Sequence, residues 1–429
     1  MGSRLAAATA LSHAARAAEP CSGPRETSPD SASEPSVRIV YMLSENLNRT
    51  EGGIVHFLAV ARGLHALGHQ VTILAPQYGR TLRKFPPLGC IYLPLPGRSI
   101  FSFLLYQVFV AAIFPFIVLL YRPDALMVRG STGIGFLVHV VARFLRVGVV
   151  LEVNGITWAE LASRGFGAWQ AVFTRWTAGL ECKTSDRVIA VTPRIAEELA
   201  RCFNLPADRV HAIHNGADPD EFDRSLRDSA RAVLGLKPDD FVVGYVGAFT
   251  VWHGVMELAA SAMELPADIR SRVRYALVGK GPTWEAVQQF VAEHGLQDTV
   301  LLPGMASRAQ AARYLVAFDL GVIMNSKLQS GVFGSPLKFW EYLAAGLPVL
   351  ITDNCNLTPL VTQHHMGFVV PDSSSSAIAQ GILEAYQRRG ELIETGVHNR
   401  QLVIEKFSWR HVAAEVARVL MQATERGSA

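Results

Sequence analysis

From Val37 onward the chain alternates short apolar runs with stretches of helical period, and this alternation constrains the fold more than any other feature. The strand-like runs of the first half are VRIVYML, QVTILAP, DALMV, GVVLEV, DRVIAV and RVHAIHNG. Those of the second half are FVVGYVG, VRYALVGKG, TVLLPG, DLGVIM and LPVLITD. Buried strands separated by helices predict a parallel sheet covered on both faces. We therefore expect two doubly wound α/β domains facing each other across a cleft, with ligands at the carboxyl ends of the strands.

Breaks in this pattern set the expected domain boundaries. Residues 1–36 are rich in Ala, Ser, Pro and Arg without a sustained period, which predicts a disordered or low-complexity extension. No compact apolar core follows MGSR, so a secretory signal is not expected. Residues 37–222 form the first predicted domain. A linker around 223–238 opens the second, which extends to residue 408, and residues 409–429 form a final helix.

Charge and cysteine content argue against two broad classes of protein, those that bind nucleic acid and those held together by disulfide bonds. The 40 basic and 37 acidic residues nearly cancel, so no global field attracts nucleic acid. The 5 cysteines form no CxxC or metal-ligand spacing, which is typical of a reducing compartment and not of a disulfide framework. We expect a cytoplasmic protein with no nucleic-acid partner and no bound metal.

Residues 99–121 carry no charge and are long enough to span a bilayer. They occupy the helix position between two strands of the first domain, and a crossing would place those strands on opposite sides of the membrane. A surface helix packed on the sheet is therefore favoured over a span. Because a helix that is apolar all round needs something besides water on its outer face, peripheral association with the inner face of a membrane is a hypothesis.

The stretch GSPLKFWEYLAAG predicts a short helix with an anion site at its start. Ser335 suits the N-cap, Pro336 the first helical position and Gly346 the αL cap. Lys338 in the first turn faces the positive end of the helix dipole, which costs roughly 0.3–1 kcal/mol unless an anion lies nearby. Glu341 shares its face three residues later.

Six segments in order resemble the retaining GT-B glycosyltransferases of group 1, which use nucleotide-sugars. In the second half they are VGYVGAFTVWHGVMELAASA, RYALVGKGP, TVLLPGMASRAQAARYLVAFDLGVIM and GSPLKFWEYLAAGLPVLITD. In the first half they are EGGIVHFLAVARGLHALGHQVTILAP and DRVIAVTPRIAEEL…RVHAIHNGADPDEF. FSWRHVAAEVARVL resembles the final helix that crosses back to the first domain. The resemblance covers nearly everything after residue 37 and implies a GT-B fold.

The resemblance also implies roles for individual residues. The helix at Lys338 would hold the donor diphosphate and Glu341 the ribose hydroxyls, while Asn154 and His253 would complete the catalytic set. The implied donor-binding positions are Gly52, Gly53, Gly247, Phe249, Trp252, Gly254, Gly279, Pro303, Gly334, Ser335, Pro336 and Leu337. Charge on the leaving phosphate would be stabilised by helix termini and cations, without a metal or other cofactor.

Four positions depart from the common family pattern. Phe333 stands where a glutamate often contacts the transferred sugar. Ala248 and His253 replace the Arg and Lys of the donor loop, and Asn154 replaces a histidine of the first domain. The departures suggest a Trp-His-Gly and Glu-x-Asn-Gly sub-branch.

Two first-domain strands end on polar residues, in LMVRG and LEVNG. Arg129, Glu152 and Asn154 are therefore expected at the cleft, with Arg129 and Glu152 on the acceptor side; alternatively, Glu152 pairs with Arg129 and orients it. Gly52 and Gly53 either allow close approach of a ligand or form a plain tight turn.

The resulting hypothesis is a retaining transferase that moves a sugar from a nucleotide-diphosphate donor to a lipid-linked or polysaccharide acceptor, in surface polysaccharide or glycoconjugate biosynthesis. Two alternatives stay open: a non-catalytic nucleotide-sugar-binding protein, and a sugar-nucleotide epimerase on the same fold. DPD at 218–220 fits a capped turn better than a metal site.

Overall fold

The computed structural model of the protein describes residues 35–49, 52–80, 82–95, 97, 99–130, 133–163, 167–326 and 334–427. From Ser36 onward the chain is one compact unit, and the described residues of this unit contain two parallel β-sheets with helices between the strands. This architecture confirms the two-domain α/β prediction.

The first sheet has the strand order β3-β2-β1-β4-β5-β6-β7, and every neighbouring pair in its described residues is parallel. The direction of winding reverses between β1 and β4, which is where doubly wound sheets bind ligands. The strands are β1 (Arg38–Met42), β2 (Gln70–Gln77), β3 (Gly89–Pro94), β4 (Ala125–Arg129), β5 (Gly148–Val153), β6 (Arg187–Ala190) and β7 (Val210–Ala212). The helices are α1 (Gly52–Ala66), α2 (Ile100–Tyr121), α3 (Phe136–Phe144), α4 (Thr157–Ser163), α5 (Ala168–Thr184) and α6 (Pro193–Phe203).

The second sheet repeats this winding with the order β10-β9-β8-β11-β12-β13, so its switch point lies between β8 and β11. The strands are β8 (Phe241–Val246), β9 (Val273–Val278), β10 (Val300–Gly304), β11 (Leu320–Ile323), β12 (Val349–Thr352) and β13 (Gly367–Val370). The helices are α7 (Arg227–Val233), α8 (Val255–Glu264), α9 (Ala267–Arg270), α10 (Trp284–Glu293), α11 (Arg308–Leu315), α12 (Leu337–Ala344), α13 (Thr358–Gln363), α14 (Ser375–Gln387) and α15 (Leu392–Leu402).

Each sheet has an apolar core on both faces, as expected for strands that are apolar throughout. On the first sheet, Tyr41 and Ile73 face α1, whereas Val40 and Leu74 face α2. The second sheet is covered in the same way by α8 and α14 on one face and by α12 on the other.

The last helix, α16 (Trp409–Gly427), returns to the first domain and packs on α1 and β5. Its small residues allow this approach: a Cβ added to Gly63 of α1 would lie 2.5 Å from the Cβ of Ala413. The polypeptide thus crosses between the domains twice, and the second crossing contributes to the core of the first sheet.

The predicted linker at 223–238 is wrong, because these residues are folded. Arg224–Leu226 form a 3-10 turn that leads into α7. Arg227 and Arg231 both contact the carboxylate of Asp319, at 2.5 and 2.7 Å. A carboxylate that binds two guanidinium groups fixes α7 to the second domain.

Residues 100–121 form the helix predicted in the slot between β3 and β4. By length and composition it is long and apolar enough to cross a membrane, and about one third of it is buried in the protein. Phe114 and Tyr106 are completely buried against the sheet, so the helix is part of the first domain's core.

Candidate active site

The two switch points bring helix starts from both domains together. A Cβ added to Gly52, the first residue of α1, would lie 3.5 Å from the side chain of Leu337, the first residue of α12. The first N–H groups of each helix have no intrahelical acceptor and carry the positive end of the helix dipole. The cleft is therefore most favourable for an anion where these two helices begin.

Two neighbouring cavities lie in this cleft. The α12 cavity, of about 230 Å³, is lined by Glu160, Trp252, His253, Ile323, Met324, Asn325, Gly334, Ser335, Pro336 and Lys338. The β5 cavity, of about 300 Å³, lies in the first domain and includes Arg129, Asn154 and Glu160 in its lining. Because Glu160 lines both cavities, they adjoin and can hold two parts of one reaction.

Helix α12 begins at Leu337, one residue later than predicted, with Pro336 and not Ser335 as its N-cap. The Ser335 hydroxyl is buried and has no hydrogen-bond partner among the described residues. Its carbonyl accepts a 2.8 Å hydrogen bond from Asn215 of the first domain. A buried hydroxyl without a partner is costly, which suits a site that a polar ligand completes. Phe333 lies outside the described residues.

Lys338 lies in the first turn of α12 and reaches back under the end of β8. Its Nζ donates to the Tyr245 hydroxyl at 3.1 Å and lies 4.1 Å from the centroid of that ring. Burial lowers the pKa of Lys338 to about 7, although the Glu341 carboxylate opposes this effect. An anion bound beside Lys338 would favour the protonated, charged form of this lysine and raise its pKa.

The surroundings of His253 favour its neutral form. Its Nδ1 lies 2.8 Å from the carbonyl oxygen of Ala248, so this nitrogen carries the proton. Burial and the charge of Lys338 lower the pKa of His253 to about 4. The neutral ring then offers Nε2 as a hydrogen-bond acceptor at the wall of the α12 cavity.

Glu341 is held by an arginine that we did not select from the sequence. Arg308, the first residue of α11, lies 3.0 Å from Glu341 and 2.6 Å from Glu221. Burial raises the pKa of Glu341, and Arg308 opposes this rise. One carboxylate oxygen of Glu341 thus accepts a hydrogen bond from Arg308, and within the described part of the chain the other accepts none.

Three of the predicted glycines are required by close packing at the cleft. Gly247 has φ +155°, and a Cβ there would lie 3.0 Å from Lys338 Nζ. Gly254 begins α8 with φ +59°, where a Cβ would lie 2.9 Å from the Cβ of Met324. Gly279, with φ +136°, lies against the main chain of Gly247, where an added Cβ would lie 1.9 Å from the Gly247 carbonyl oxygen.

Three predicted donor-binding side chains, those of Leu337, Phe249 and Pro303, do not line either cavity. The Phe249 ring is completely buried and packs 5.2 Å from Trp284 and 5.9 Å from Tyr245, measured between centroids. Pro303 is exposed on β10 and lines a separate cavity of about 460 Å³ at the outer edge of the second sheet. The resemblance assigns these residues by their position in a motif, and that position does not determine which way each side chain points.

Arg129 and Asn154 meet in the β5 cavity, as expected for residues at the ends of neighbouring strands. Arg129 donates to the carbonyl oxygen of Gly53 and lies 3.8 Å from Glu45. A Cβ added to Gly53 would lie 2.9 Å from the Arg129 guanidinium. Gly53 thus lets the arginine hold the first turn of α1 at the cleft.

Glu152 is buried below the β5 cavity and does not form the predicted pair with Arg129. Its carboxylate binds the Tyr41 hydroxyl and His56 Nε2, and it accepts a 3.0 Å hydrogen bond from Asn154 Nδ2. Burial alone would raise the pKa of Glu152, but His56, Arg129 and the Tyr41 hydrogen bond bring it to about 2. A carboxylate only accepts hydrogen bonds, so it fixes the Asn154 amide with its NH₂ group inward.

The site includes residues that sequence reasoning missed. Tyr41 and His56 occupy apolar faces of β1 and α1, where their spacing resembles that of ordinary core residues. Arg308 lies in the resembling segment TVLLPGMASRAQAARYLVAFDLGVIM, and its place directly after Ser307, a residue type that suits an N-cap, was a signal that could have selected it. The Asp218 side chain accepts a hydrogen bond from the Asp220 amide, so DPD caps a turn.

Comparisons with known proteins agree with this geometry. Residues 50–221 match the family model of Glycosyltransferase Family 4, and residues 227–397 match that of Glycosyl transferases group 1. An uncharacterised glycosyltransferase of Methanocaldococcus jannaschii is 26% identical over 56% of this chain and 61% of its own length. The amylovoran biosynthesis glycosyltransferase AmsK of Erwinia amylovora is 22% identical over 51% of this chain and 52% of its own. The chain thus spans between half and two thirds of the length of these relatives.

Solved structures share the whole fold. Sucrose-phosphate synthase of Thermosynechococcus elongatus superposes with a TM-score of 0.73 at 19% identity, over 91% of this chain and 100% of its own. Anabaena HepE, in complex with UDP and glucose, gives 0.70 at 15% identity, over 90% and 100%. The two family models and the GT-B architecture lead to one conclusion: the chain belongs to the group 1 glycosyltransferases.

Proposed function

We propose that the protein transfers a sugar from a nucleotide-diphosphate donor to a lipid-linked or polysaccharide acceptor, with retention of configuration. The observation that carries the proposal is Lys338, a half-buried lysine at the start of α12, which lines the same cavity as the Ser335 hydroxyl, a group with no partner in the described part of the chain. An anion is the ligand that this combination favours. HepE, whose solved structure contains UDP and glucose, has the same fold, which supports a nucleotide-sugar as the anion.

The α12 cavity would hold the donor. Its diphosphate would lie between the starts of α1 and α12, where Lys338 supplies a full positive charge. The free oxygen of Glu341 would accept hydrogen bonds from the ribose hydroxyls, with Arg308 keeping the carboxylate ionised. His253 Nε2, as a neutral acceptor, suits a hydroxyl of the transferred sugar. The base would lie near α11.

The β5 cavity would hold the acceptor beside the donor sugar. In a front-face reaction the acceptor oxygen bonds to the anomeric carbon on the side from which the diphosphate leaves. The acceptor's hydroxyl proton passes to the departing phosphate oxygen. Lys338 and the two helix starts stabilise the charge that develops there, so we expect no metal requirement. Asn154 would position a hydroxyl group through the amide oxygen that Glu152 leaves facing away from itself.

The acceptor class follows from the surroundings of the β5 cavity and from one relative. AmsK acts in amylovoran biosynthesis by its name, which supports a role in surface polysaccharide or glycoconjugate synthesis. The exposed apolar side of α2 favours an acceptor presented at a membrane over a small soluble metabolite. We accordingly expect a cytoplasmic protein that works at the inner face of a membrane.

The test measures turnover of UDP-, GDP- and ADP-sugars with a total lipid extract or with water as acceptor, together with NMR of the anomeric proton of the product. We expect one donor to be consumed, with its anomeric configuration retained and with activity unchanged by EDTA. Lys338→Ala should lower kcat about 10²–10³-fold. Lys237→Ala, at an exposed lysine of the same domain, is the matched control. Donor binding without turnover would support the non-catalytic alternative, and an epimerised donor would support the epimerase.

A further inference from the structure

One face of the first domain carries a continuous apolar surface formed by three helices. On α2, Phe101 and Leu120 are 73% and 76% exposed. Phe144 at the end of α3 is 86% exposed, and Trp169 and Trp176 on α5 are 68% and 58% exposed. Large exposed aromatic side chains at this density are unusual on a protein that contacts only water.

The three helices form a single layer, so their exposed residues belong to one surface. Helix α2 packs against α3, and α3 packs against α5. The Phe136 ring of α3 lies edge-on to Trp176 of α5, with centroids 6.4 Å apart. The layer covers the face of the first sheet opposite to α1 and α16. We name this surface, the outer side of α2, α3 and α5, the three-helix face.

The charge of the three-helix face has one sign. Among the described residues, no exposed acidic side chain lies on these helices, and the one acidic residue of α5, Glu181, is buried. Arg175 and Lys183 of α5 are exposed, and Arg122 and Arg146 are exposed just beyond the ends of α2 and α3. The surface therefore combines apolar and aromatic side chains with a cationic margin.

We propose that the three-helix face docks on the surface of an anionic lipid bilayer. Tryptophan and tyrosine favour the interface between lipid and water, and each basic side chain near an anionic leaflet contributes about 1 kcal/mol. The apolar side chains would enter the headgroup region while the cations contact lipid phosphates.

Two other occupants fit the observations less well. In a twofold dimer the same patch meets itself, which would bring the cationic margins together. A membrane-spanning α2 would have to withdraw Tyr106 and Phe114 from the core, where both are completely buried. Docking on the bilayer surface leaves the fold intact.

The docking face lies close to the proposed acceptor site, a relation that rests on the proposed function. Thr174, Ala178 and Glu181 of α5 line the β5 cavity, on the side of the helix opposite to its exposed tryptophans. A helix with side chains is about 10 Å wide. The bilayer surface would thus be one helix away from the cavity, within reach of the sugar end of a lipid-linked acceptor.

The test is co-sedimentation of the full chain with vesicles of phosphatidylcholine alone or with 30% phosphatidylglycerol, a readout that needs neither donor nor activity. The test variant carries Leu120→Glu, Phe144→Glu and Trp169→Glu, one change on each helix. The matched control carries Ile393→Glu and Val397→Glu, at positions of α15 that are 72% and 67% exposed. Thermal melting checks that both variants fold.

We expect the wild type to bind anionic vesicles, to release them at high salt, and to lose at least about tenfold of its affinity in the test variant but not in the control. Three results would overturn the proposal. They are wild type that binds neither vesicle, equal losses in both variants, and a dimer in sedimentation velocity that the test variant dissociates. Extraction by detergent alone, and not by salt, would instead indicate a spanning helix.

Discussion

The bond between Glu152 and Asn154 allows a substitution whose effect depends on pH. Asn154→Asp replaces an amide that donates to Glu152, at 3.0 Å, with a carboxyl group of nearly the same shape. When both carboxyls are ionised, charges about 4 Å apart repel by roughly 4 kcal/mol at an effective dielectric constant of 20. The group at position 154 then keeps its proton to a pH about three units higher than usual.

The protonated carboxyl is a good replacement for the amide, because its O–H donates to Glu152 and its carbonyl oxygen faces away. We therefore expect Asn154→Asp to be most active at low pH. Its activity should fall as pH rises through the raised titration, by up to tenfold per pH unit. The assay is kcat/KM between pH 5 and 8.5, relative to wild type in the same buffers.

Asn154→Ala is the control, since it removes the amide without adding a titratable group and should lose activity equally at every pH. The reasoning is refuted if Asn154→Asp also loses a constant factor across the whole range. In that case the orientation of the amide by Glu152 has no part in the reaction.

Three further changes test other parts of the site. Burial lowers the pKa of Lys338 to about 7, and a bound diphosphate would raise it, so calorimetry should show donor affinity falling as pH rises above 7. Lys338→Arg should flatten this dependence, and a flat wild-type profile would contradict the shifted pKa. Arg308→Ala should weaken donor binding about tenfold by leaving Glu341 without its partner, whereas tighter binding would mean that Arg308 competes with the donor. Phe249→Ala should lower the free energy of unfolding by about 3–5 kcal/mol in denaturant titration, and a loss of donor affinity without destabilisation would restore its predicted contact.

The architecture was predictable because it depends on patterns that repeat along the chain. Apolar runs of strand length alternate with helical segments, and such a chain has few ways to bury both. The start of α12 was predictable to within one residue for a similar reason, since Pro336 and Gly346 act locally on the backbone.

The partners of buried polar groups were not predictable, because they come from distant parts of the chain. Glu152 lies 111 residues from Tyr41 and 96 from His56, and the pairing of β1, β4 and β5 decides that they meet. The prediction of a linker at 223–238 was wrong for the same reason, since the contacts that hold these residues come from distant parts of the chain. In the sequence Arg231 resembles an exposed surface residue. The fold places it beside Asp319, which lies 88 residues away along the chain.

The direction in which loop side chains point was also not predictable from the pattern of apolar residues. Phe249 follows a strand in a glycine-containing loop, and nothing nearby in sequence shows that its ring turns into the core against Trp284. His253 lies at the wall of the α12 cavity, and its neutral form depends on burial and on the neighbouring Lys338, which the sequence does not show.

The central claim is that α12 holds the diphosphate of a nucleotide-sugar, and a thermal-shift panel of UDP-, GDP- and ADP-sugars tests it most directly. At a hundred times its dissociation constant the correct donor should stabilise the wild type by about 2.7 kcal/mol. The shift should persist in Lys237→Ala and disappear in Lys338→Ala and Glu341→Ala. A donor that stabilises all four proteins equally would contradict the claim, because the diphosphate would then bind away from α12.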